Sequence, residues 1–335
     1  MDTKVIIIGG GPAGLLTAYH LKQFGISSLI LEKKQPGQSW RDMKDGMVML
    51  SPAAAQHDLT SLTFNNPIWS AVKLQGAFAT KEEFLEYLDL FIKDNELSIK
   101  TESAVSKITR KDDRFSIHTV NGKIYEAPVV VVATGVISNP HLPDIPGIAG
   151  NDRVIHSREY RNSEAYRGKR VLIVGAGNSG AELTVELSGL SRVTLATKSR
   201  LKYYSKTKDL SHIRGLSESL LKELINFKII DLKEKVQVKE IKEGTVIFSD
   251  GTEKEFDKIV FATGYHPFLP DFESIPLKKT KSGYPKVTSN CESASTKGIY
   301  FTGPLAHTNR YCSFIHCFRP MVEPMALHIA ESFGC

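Results

Sequence analysis

Short, continuous apolar runs interrupted by glycine set the rhythm of this chain. Val5-Ile6-Ile7-Ile8 and Val171-Leu172-Ile173-Val174 have no polar alternation, as expected of strands buried on both faces of a parallel sheet. Each run leads into a glycine-rich turn that opens a helix, over 12–24 in the first case. A second strand, Ser28-Leu29-Ile30-Leu31, stops at Glu32. Phe84, Leu85, Leu88, Phe91 and Ile92 recur at helical spacing, and Thr80 with Glu83 forms a capping box, so 80–94 reads as an amphipathic helix. Further strands are expected near 103–109, 114–120, 129–133, 193–197, 236–241 and 245–248. The Pro-rich stretch 139–147 reads as a connector, and the helical spacing of 314–333 should be broken by Pro320 and Pro324.

The strand–glycine–helix plan occurs twice, as Gly9-Gly10-Gly11-Pro12-Ala13-Gly14 and as Gly175-Ala176-Gly177-Asn178-Ser179-Gly180. In such a fingerprint the first glycine makes the turn and the second admits a pyrophosphate. The third lets helix pack on strand. Glu32, about 20 residues past the first fingerprint, stands where a carboxylate takes the adenosine ribose hydroxyls, which argues for FAD there. The second fingerprint is followed by strand 193–197 and then Lys198, Ser199 and Arg200 with no acid, a set suited to the 2′-phosphate of NADPH. By composition alone those charges would be only a solvated face.

The fold class expected is α/β with two Rossmann-like dinucleotide-binding domains. An FAD-binding domain of 1–160 and 266–335 is discontinuous, and an NADPH-binding domain of 161–265 is inserted in it. The two segments Ala133-Thr134-Gly135 and Ala262-Thr263-Gly264 should be the crossing strands at the junction.

Bulk properties narrow this little. A length of 335 residues accommodates two cores, and 41% hydrophobic with 24% charged residues suits a globular protein. The net charge of +6 favours phosphate-bearing ligands without calling for nucleic acid. No window approaches a membrane span, and the glycine turn cuts short the only N-terminal apolar run. Cys291, Cys312, Cys317 and Cys335 contain no C-x-x-C pair and read as reduced thiols of a cytoplasmic protein. There is no metal-ligand cluster, and a homodimer is compatible with the sequence.

Several segments resemble flavin-containing monooxygenases of the two-dinucleotide-binding flavoprotein superfamily, in the family's order. Gly37-Gln38-Ser39-Trp40-Arg41 is similar to the segment that wraps the flavin, and Phe78 to Leu88 to the helix opening that follows. Asn178-Ser179-Gly180-Ala181-Glu182, Phe261-Ala262-Thr263-Gly264-Tyr265 and Phe314-Ile315-His316-Cys317-Phe318-Arg319 also match. His156-Ser157-Arg158-Glu159-Tyr160-Arg161 keeps half of the identifying motif, while Asp152 stands where glycine is expected. His156 therefore reads as a linker residue and not as a general base.

The resemblance implies that FAD is held by Gly9, Gly11, Pro12, Ala13, Gly14, Glu32, Lys33, Gln38, Ser39, Trp40, Arg41, Val105, Ala133, Thr134, Gly135, Gly303 and Phe314. NADPH would be held by Gly175, Gly177, Asn178, Ser179, Gly180, Lys198, Ser199, Arg200, Ala262, Thr263 and Gly264. Chemistry would be borne by the flavin: oxygenation through a C4a-peroxyflavin of a small nitrogen, sulfur or carbonyl substrate by molecular oxygen. The family's asparagine near the flavin is missing from 50–57, leaving Ser51, Gln56 and His57 as weak polar candidates.

The alternative is a flavoprotein reductase of a low-molecular-weight disulfide, or a thioredoxin-reductase-like enzyme. Thr263 to Pro267 resembles the hinge of single-thiol disulfide reductases, yet their glycine-loop cysteine is replaced by Ala13. Cys312 and Cys317 are the only close thiol pair, spaced to face different sides of a helix.

Overall fold

The computed structural model describes residues 3–306 and 314–335, and the chain divides into two compact units. The first comprises residues 1–42, 46–139 and 266–335; the second comprises 43–45 and 140–265.

In the first unit a parallel five-stranded sheet has the order Ile299–Phe301, Val129–Val132, Val5–Ile8, Ser28–Leu31, Ile99–Lys100. In the second the order is Val154–His156, Lys258–Phe261, Arg170–Val174, Arg192–Thr197, Asp231–Glu234, again parallel. Both continuous apolar runs are central and solvent-free: Val5, Ile7 and Val130–Val132 are 0% exposed, as are Val171–Ile173. A mixed four-stranded sheet, antiparallel except for Asp271–Phe272 beside Val105–Lys111, accompanies the first unit, and an antiparallel three-stranded one the second. The α/β class with parallel sheets is as the periodicity implied.

The helix Lys81–Asp94 starts at the expected capping box: Glu83 N donates to Thr80 Oγ1 at 3.2 Å, and Thr80 N to Glu83 Oε2 at 2.7 Å. It buries Phe84, Tyr87, Leu88 and Phe91 in the core with the first glycine helix, Pro12–Gln23.

One expectation fails. Residues Ile315–Glu331 form a single helix with Pro320 and Pro324 inside it. Each proline removes an N–H and crowds the preceding turn at a cost of about 3 kcal/mol. Both prolines lie on the exposed side, where water can take the freed carbonyls, while Phe318, Val322, Met325 and Ile329 are buried on the opposite face. Burial of four large apolar side chains, roughly 1.5–3 kcal/mol each, offsets the breaks.

Candidate functional site

The two glycine turns repeat one another atom for atom. Gly9 N donates to Leu31 O at 2.9 Å and Gly175 N to Ala196 O at 2.8 Å, while Ala133 N and Ala262 N donate to Ile8 O and Val174 O, both at 2.8 Å. Gly9 and Gly175 have φ of +109° and +104°, and a Cβ on them would lie 2.6 and 2.5 Å from the carbonyls of Ala133 and Ala262. A Cβ on Gly14 or Gly180 would strike the carbonyl of Gly9 or Gly175. These four glycines are therefore required by the protein itself.

The middle glycines differ. Nothing lies within 4 Å of a Cβ built on Gly11 or Gly177. Each is the N-cap of a helix, starting at Pro12 and Asn178, with no side-chain cap on the first-turn N–H groups. Open space before a set of uncapped, positively polarised N–H groups fits a pyrophosphate at each turn.

Around the first turn, Glu32 is 6% exposed; its Oε2 accepts from Gly10 N at 2.7 Å and its Oε1 from Lys34 N at 3.0 Å. The carboxylate is thereby fixed at the mouth of the glycine loop. Lys33 Nζ lies 5.7 Å from the ring of Phe268. Gly303, at φ +63°, faces Ala13, whose Cβ would be 2.9 Å from a Cβ on Gly303, with the Phe318 ring 3.8 Å away. Thr302 beside it is 1% exposed, and its hydroxyl has no hydrogen-bond partner. An orphaned buried hydroxyl next to the glycine loop also fits a bound cofactor. Phe314 caps the last helix and stacks on His316 at 6.0 Å.

The segment Gln38–Arg41 is a short helix whose side chains mostly face protein. Trp40 packs edge-on to Phe84 at 4.9 Å, Gln38 Nε2 donates to Asp42 at 2.8 Å, and Arg41 Nη2 donates to Asp89 at 2.8 and 3.1 Å. Arg41 Nε also donates to Pro36 O at 3.0 Å. Arg41 thus clamps the segment to the Lys81–Asp94 helix, while Ser39 remains half-buried. Val105, half-buried, opens the strand Val105–Lys111.

The Ala-Thr-Gly segments make a second doublet. Thr134 Oγ1 donates to Phe268 O, and Phe268 N returns a bond to Gly135 O at 3.2 Å. Thr263 Oγ1 donates to His141 O, and His141 N returns one to Gly264 O at 2.9 Å. Each threonine hydroxyl thus serves as a side-chain rung joining its segment to the adjacent chain.

In the second unit Asn178 Oδ1 accepts from Arg214 N at 3.2 Å, tying the fingerprint to the end of the basic segment. Ser179, Lys198, Ser199 and Arg200 are exposed, and neither Lys198 nor Arg200 is ion-paired with any described residue. Glu234, the nearby acid, is occupied by Leu201 N at 2.7 Å.

His156 is fully buried. Its Nδ1 accepts from Arg158 N at 3.1 Å, so Nε2 carries the proton that it shares with Gly264 O at 3.0 Å. Burial, ahead of the nearby charges, pushes its pKa below the usual imidazole value. A neutral ring held at both nitrogens is a clamp on the second Ala-Thr-Gly segment. Near it, Tyr160 Oη donates to Glu186 Oε1 at 2.7 Å, and Lys44 pairs with Glu186 Oε2 at 2.6 Å. Glu182, one turn earlier on the same helix, is pushed up to about 7 by burial, with Glu186 adding to the rise and Lys44 and Arg214 opposing it. Glu182 was visible in the sequence only as part of the fingerprint.

Of the weak polar candidates, Ser51 is buried, whereas Gln56 and His57 are exposed at the turn of the Ala53–Ala54/His57–Asp58 hairpin. They do not form a relay with Ser51. Instead Asp58 organises the region, accepting from Thr60 N and Ser61 N, both at 2.9 Å, and from the Ser61 hydroxyl. Cys291 is 1% exposed in the core, Cys317 half-buried and Cys335 exposed; Cys312 lies outside the described residues. Among the described residues there is no metal-binding group of His, Cys, Asp and Glu, and no helix is long and apolar enough to cross a membrane.

The model of the pyridine nucleotide-disulphide oxidoreductase family matches residues 6–303. The chain is 28% identical over 327 residues to the uncharacterized oxidoreductase CzcO of Bacillus subtilis, with 89% of this chain and 90% of that protein covered. It is 29% identical over 296 residues to senecionine N-oxygenase of Tyria jacobaeae, with 81% of this chain covered and 60% of the relative. The solved bacillithiol disulfide reductase Bdr (YpdA) from Bacillus cereus superposes with a TM-score of 0.83 at 25% identity, covering 99% of this chain and all of that one.

Proposed function

The chain belongs to the pyridine nucleotide-disulphide oxidoreductase family, and on that premise we propose that it is an NADPH-dependent FAD monooxygenase. It is a flavin-dependent oxidoreductase, and FAD and NADPH are the cofactors its family and relatives imply. When bound, NADPH supplies the hydride, and FAD supplies its acceptor and the centre that activates oxygen.

In this reading the first unit is the FAD domain. The Gly11 N-cap takes the pyrophosphate and Glu32, already oriented by Gly10 N, takes the ribose hydroxyls. Gly303 and Thr302 flank Ala13 on the side of the last helix. The second unit takes NADPH at Gly177, with Lys198 and Arg200 on the 2′-phosphate. The small-molecule substrate and oxygen enter at the flavin.

The observation that carries the oxygenase reading over the reductase is Ala13. A flavin disulfide reductase needs a thiol able to reach the flavin. Ala13 is a 6%-exposed methyl group against Gly303, at the glycine-loop position where single-thiol disulfide reductases carry their cysteine. The likeness to a disulfide reductase in fold does not choose the chemistry.

The test is to incubate purified holoenzyme with NADPH, ¹⁸O₂ and a panel of tertiary amines, thioethers and ketones. Incorporation of one labelled oxygen into a product is the expected outcome. Formation of hydrogen peroxide alone, together with anaerobic NADPH-dependent reduction of bacillithiol disulfide or cystine, would establish the reductase instead.

A further inference from the structure

We propose that Arg319 anchors the carboxylate of an acidic substrate. The reading rests on the chain being a flavin enzyme and holds equally for an oxygenase or a reductase.

Arg319 follows Phe318, which packs on Gly303 beside Ala13, so it projects from the part of the last helix that adjoins the first glycine loop. Its Nη2 donates to the main-chain oxygen of Asp58 at 2.9 Å, which joins that helix to the Ala53–Asp58 hairpin. The Asp58 carboxylate, the nearest candidate counter-ion, is already engaged by Thr60, Ser61 and its own turn. Arg319 has no ion pair among the described residues.

Two features distinguish this guanidinium from an ordinary surface charge. Its Nη1 is buried and has no hydrogen-bond partner. One face is covered by the ring of Phe64, 4.1 Å from the guanidinium carbon. Burial is also the largest influence on its pKa, lowering it. A desolvated cation with unmet N–H groups is costly unless an anion completes it.

The geometry selects the class of anion. Nη1 is the buried end without a partner, so a carboxylate oxygen placed there would complete it. Among the described residues no second cation contacts this cluster, which suits a monoanion better than a phosphate. Phe64 is 71% exposed, so its ring presents an apolar face beside the guanidinium to a ligand arriving from solvent. A carboxylate attached to an apolar body matches that pairing of one cation with one aromatic face.

The experiment titrates the FAD-loaded enzyme with benzoate, benzamide and inorganic phosphate while the visible absorbance of the flavin is recorded. Benzoate is expected to saturate, and benzamide and phosphate to bind at least about tenfold more weakly, since only benzoate offers a charged acceptor on an apolar ring. Arg319→Gln should weaken benzoate by about tenfold or more and abolish its preference over benzamide, with Arg319→Lys intermediate. Phe64→Ala should keep the preference for benzoate over benzamide, since the charge remains, and weaken both by removing the aromatic face.

Flavin content and reduction potential are measured on every variant. Equal binding of benzoate and benzamide by the unaltered enzyme would overturn the proposal. So would unchanged benzoate binding in Arg319→Gln, or in Arg319→Lys if the first variant does not fold. A shifted potential with benzoate affinity unchanged would assign Nη1 to the flavin and also overturn it. Because the readout is binding, failure of the oxygenase reading leaves this result unaffected.

Discussion

His141 and His156 share one acceptor, the carbonyl oxygen of Gly264, reached by the His141 amide nitrogen at 2.9 Å and by His156 Nε2 at 3.0 Å. Both lone pairs of that oxygen are thereby used, and Thr263 adds the return bond to His141. The second Ala-Thr-Gly segment is held from two sides, by the His141 amide and by a ring whose Nδ1 accepts from Arg158 N only while it is neutral.

His156→Ala removes the ring and leaves a buried pocket with a half-satisfied carbonyl. A loss of roughly 1–3 kcal/mol is expected, read as a lower melting temperature. Because the folded-state pKa is depressed, the contribution of His156 is present above the unfolded value of 6.5 and is lost as pH falls through the folded one. Melting curves from pH 5 to 8 should therefore show a steeper loss on the acid side in the native protein than in His156→Ala. Parallel curves would refute the clamp.

Glu182 acts in the opposite direction. Its pKa is raised to about 7, so its protonated form is favoured by the fold. Its stabilising effect is complete below the unfolded value of 4.5 and disappears as pH rises through about 7. Glu182→Gln should melt higher than the native protein at pH 8, by on the order of 1–3 kcal/mol, and should match it near pH 4.5. A variant that is less stable at pH 8 would mean the carboxylate is needed ionised.

The glycines of each turn should separate into two groups. Gly14→Ala and Gly180→Ala drive a methyl into a carbonyl and are expected to destabilise the fold by several kcal/mol, on the order of ~3. Gly11→Ala and Gly177→Ala meet no protein atom and should leave thermal stability of the cofactor-free protein within about 1 kcal/mol. Gly11→Ala should purify with less flavin. Gly177→Ala should keep its flavin and raise the KM for NADPH. Loss of both functions in either variant would argue against separate nucleotide sites.

Lys198 and Arg200, exposed and without ion pairs among the described residues, are free to take a phosphate. Replacing both with alanine should raise the KM for NADPH by about tenfold or more and leave that for NADH nearly unchanged. Equal losses with both nucleotides would remove the 2′-phosphate assignment.

Much of this was legible from local chemistry. A glycine at φ near +105° between an apolar strand and a helix leaves a mark in the sequence, as does the Thr80–Glu83 capping box. What escaped depends on contacts distant along the chain. The strand Val154–His156 is only three residues long, too short to show a period, and becomes a strand by pairing with Lys258–Phe261. The helix Leu216–Asn226 leaves Leu216 78% and Leu220 47% exposed, which blurs the contrast between its faces. The prolines of the last helix argued for a break because propensity cannot see the core that Val322, Met325 and Ile329 enter. The partner of Arg41, Asp89, stands 48 positions on, which no local pattern shows.

The split of the first unit also bears on how a ribosome delivers this chain. Residues 140–265 emerge as one uninterrupted stretch and can close their sheet as soon as Lys258–Phe261 is out. The first unit must wait. Until Ile299–Phe301 arrives, Val129–Val132 is an open edge of four consecutive valines, and until Ile315–Glu331 follows, the first glycine helix lacks its cover. An apolar strand with unpaired N–H and C=O groups is a template for the wrong partner. The polypeptide therefore carries this apolar edge while the whole second unit is made, and chains stalled or truncated before residue 299 should be the ones that aggregate.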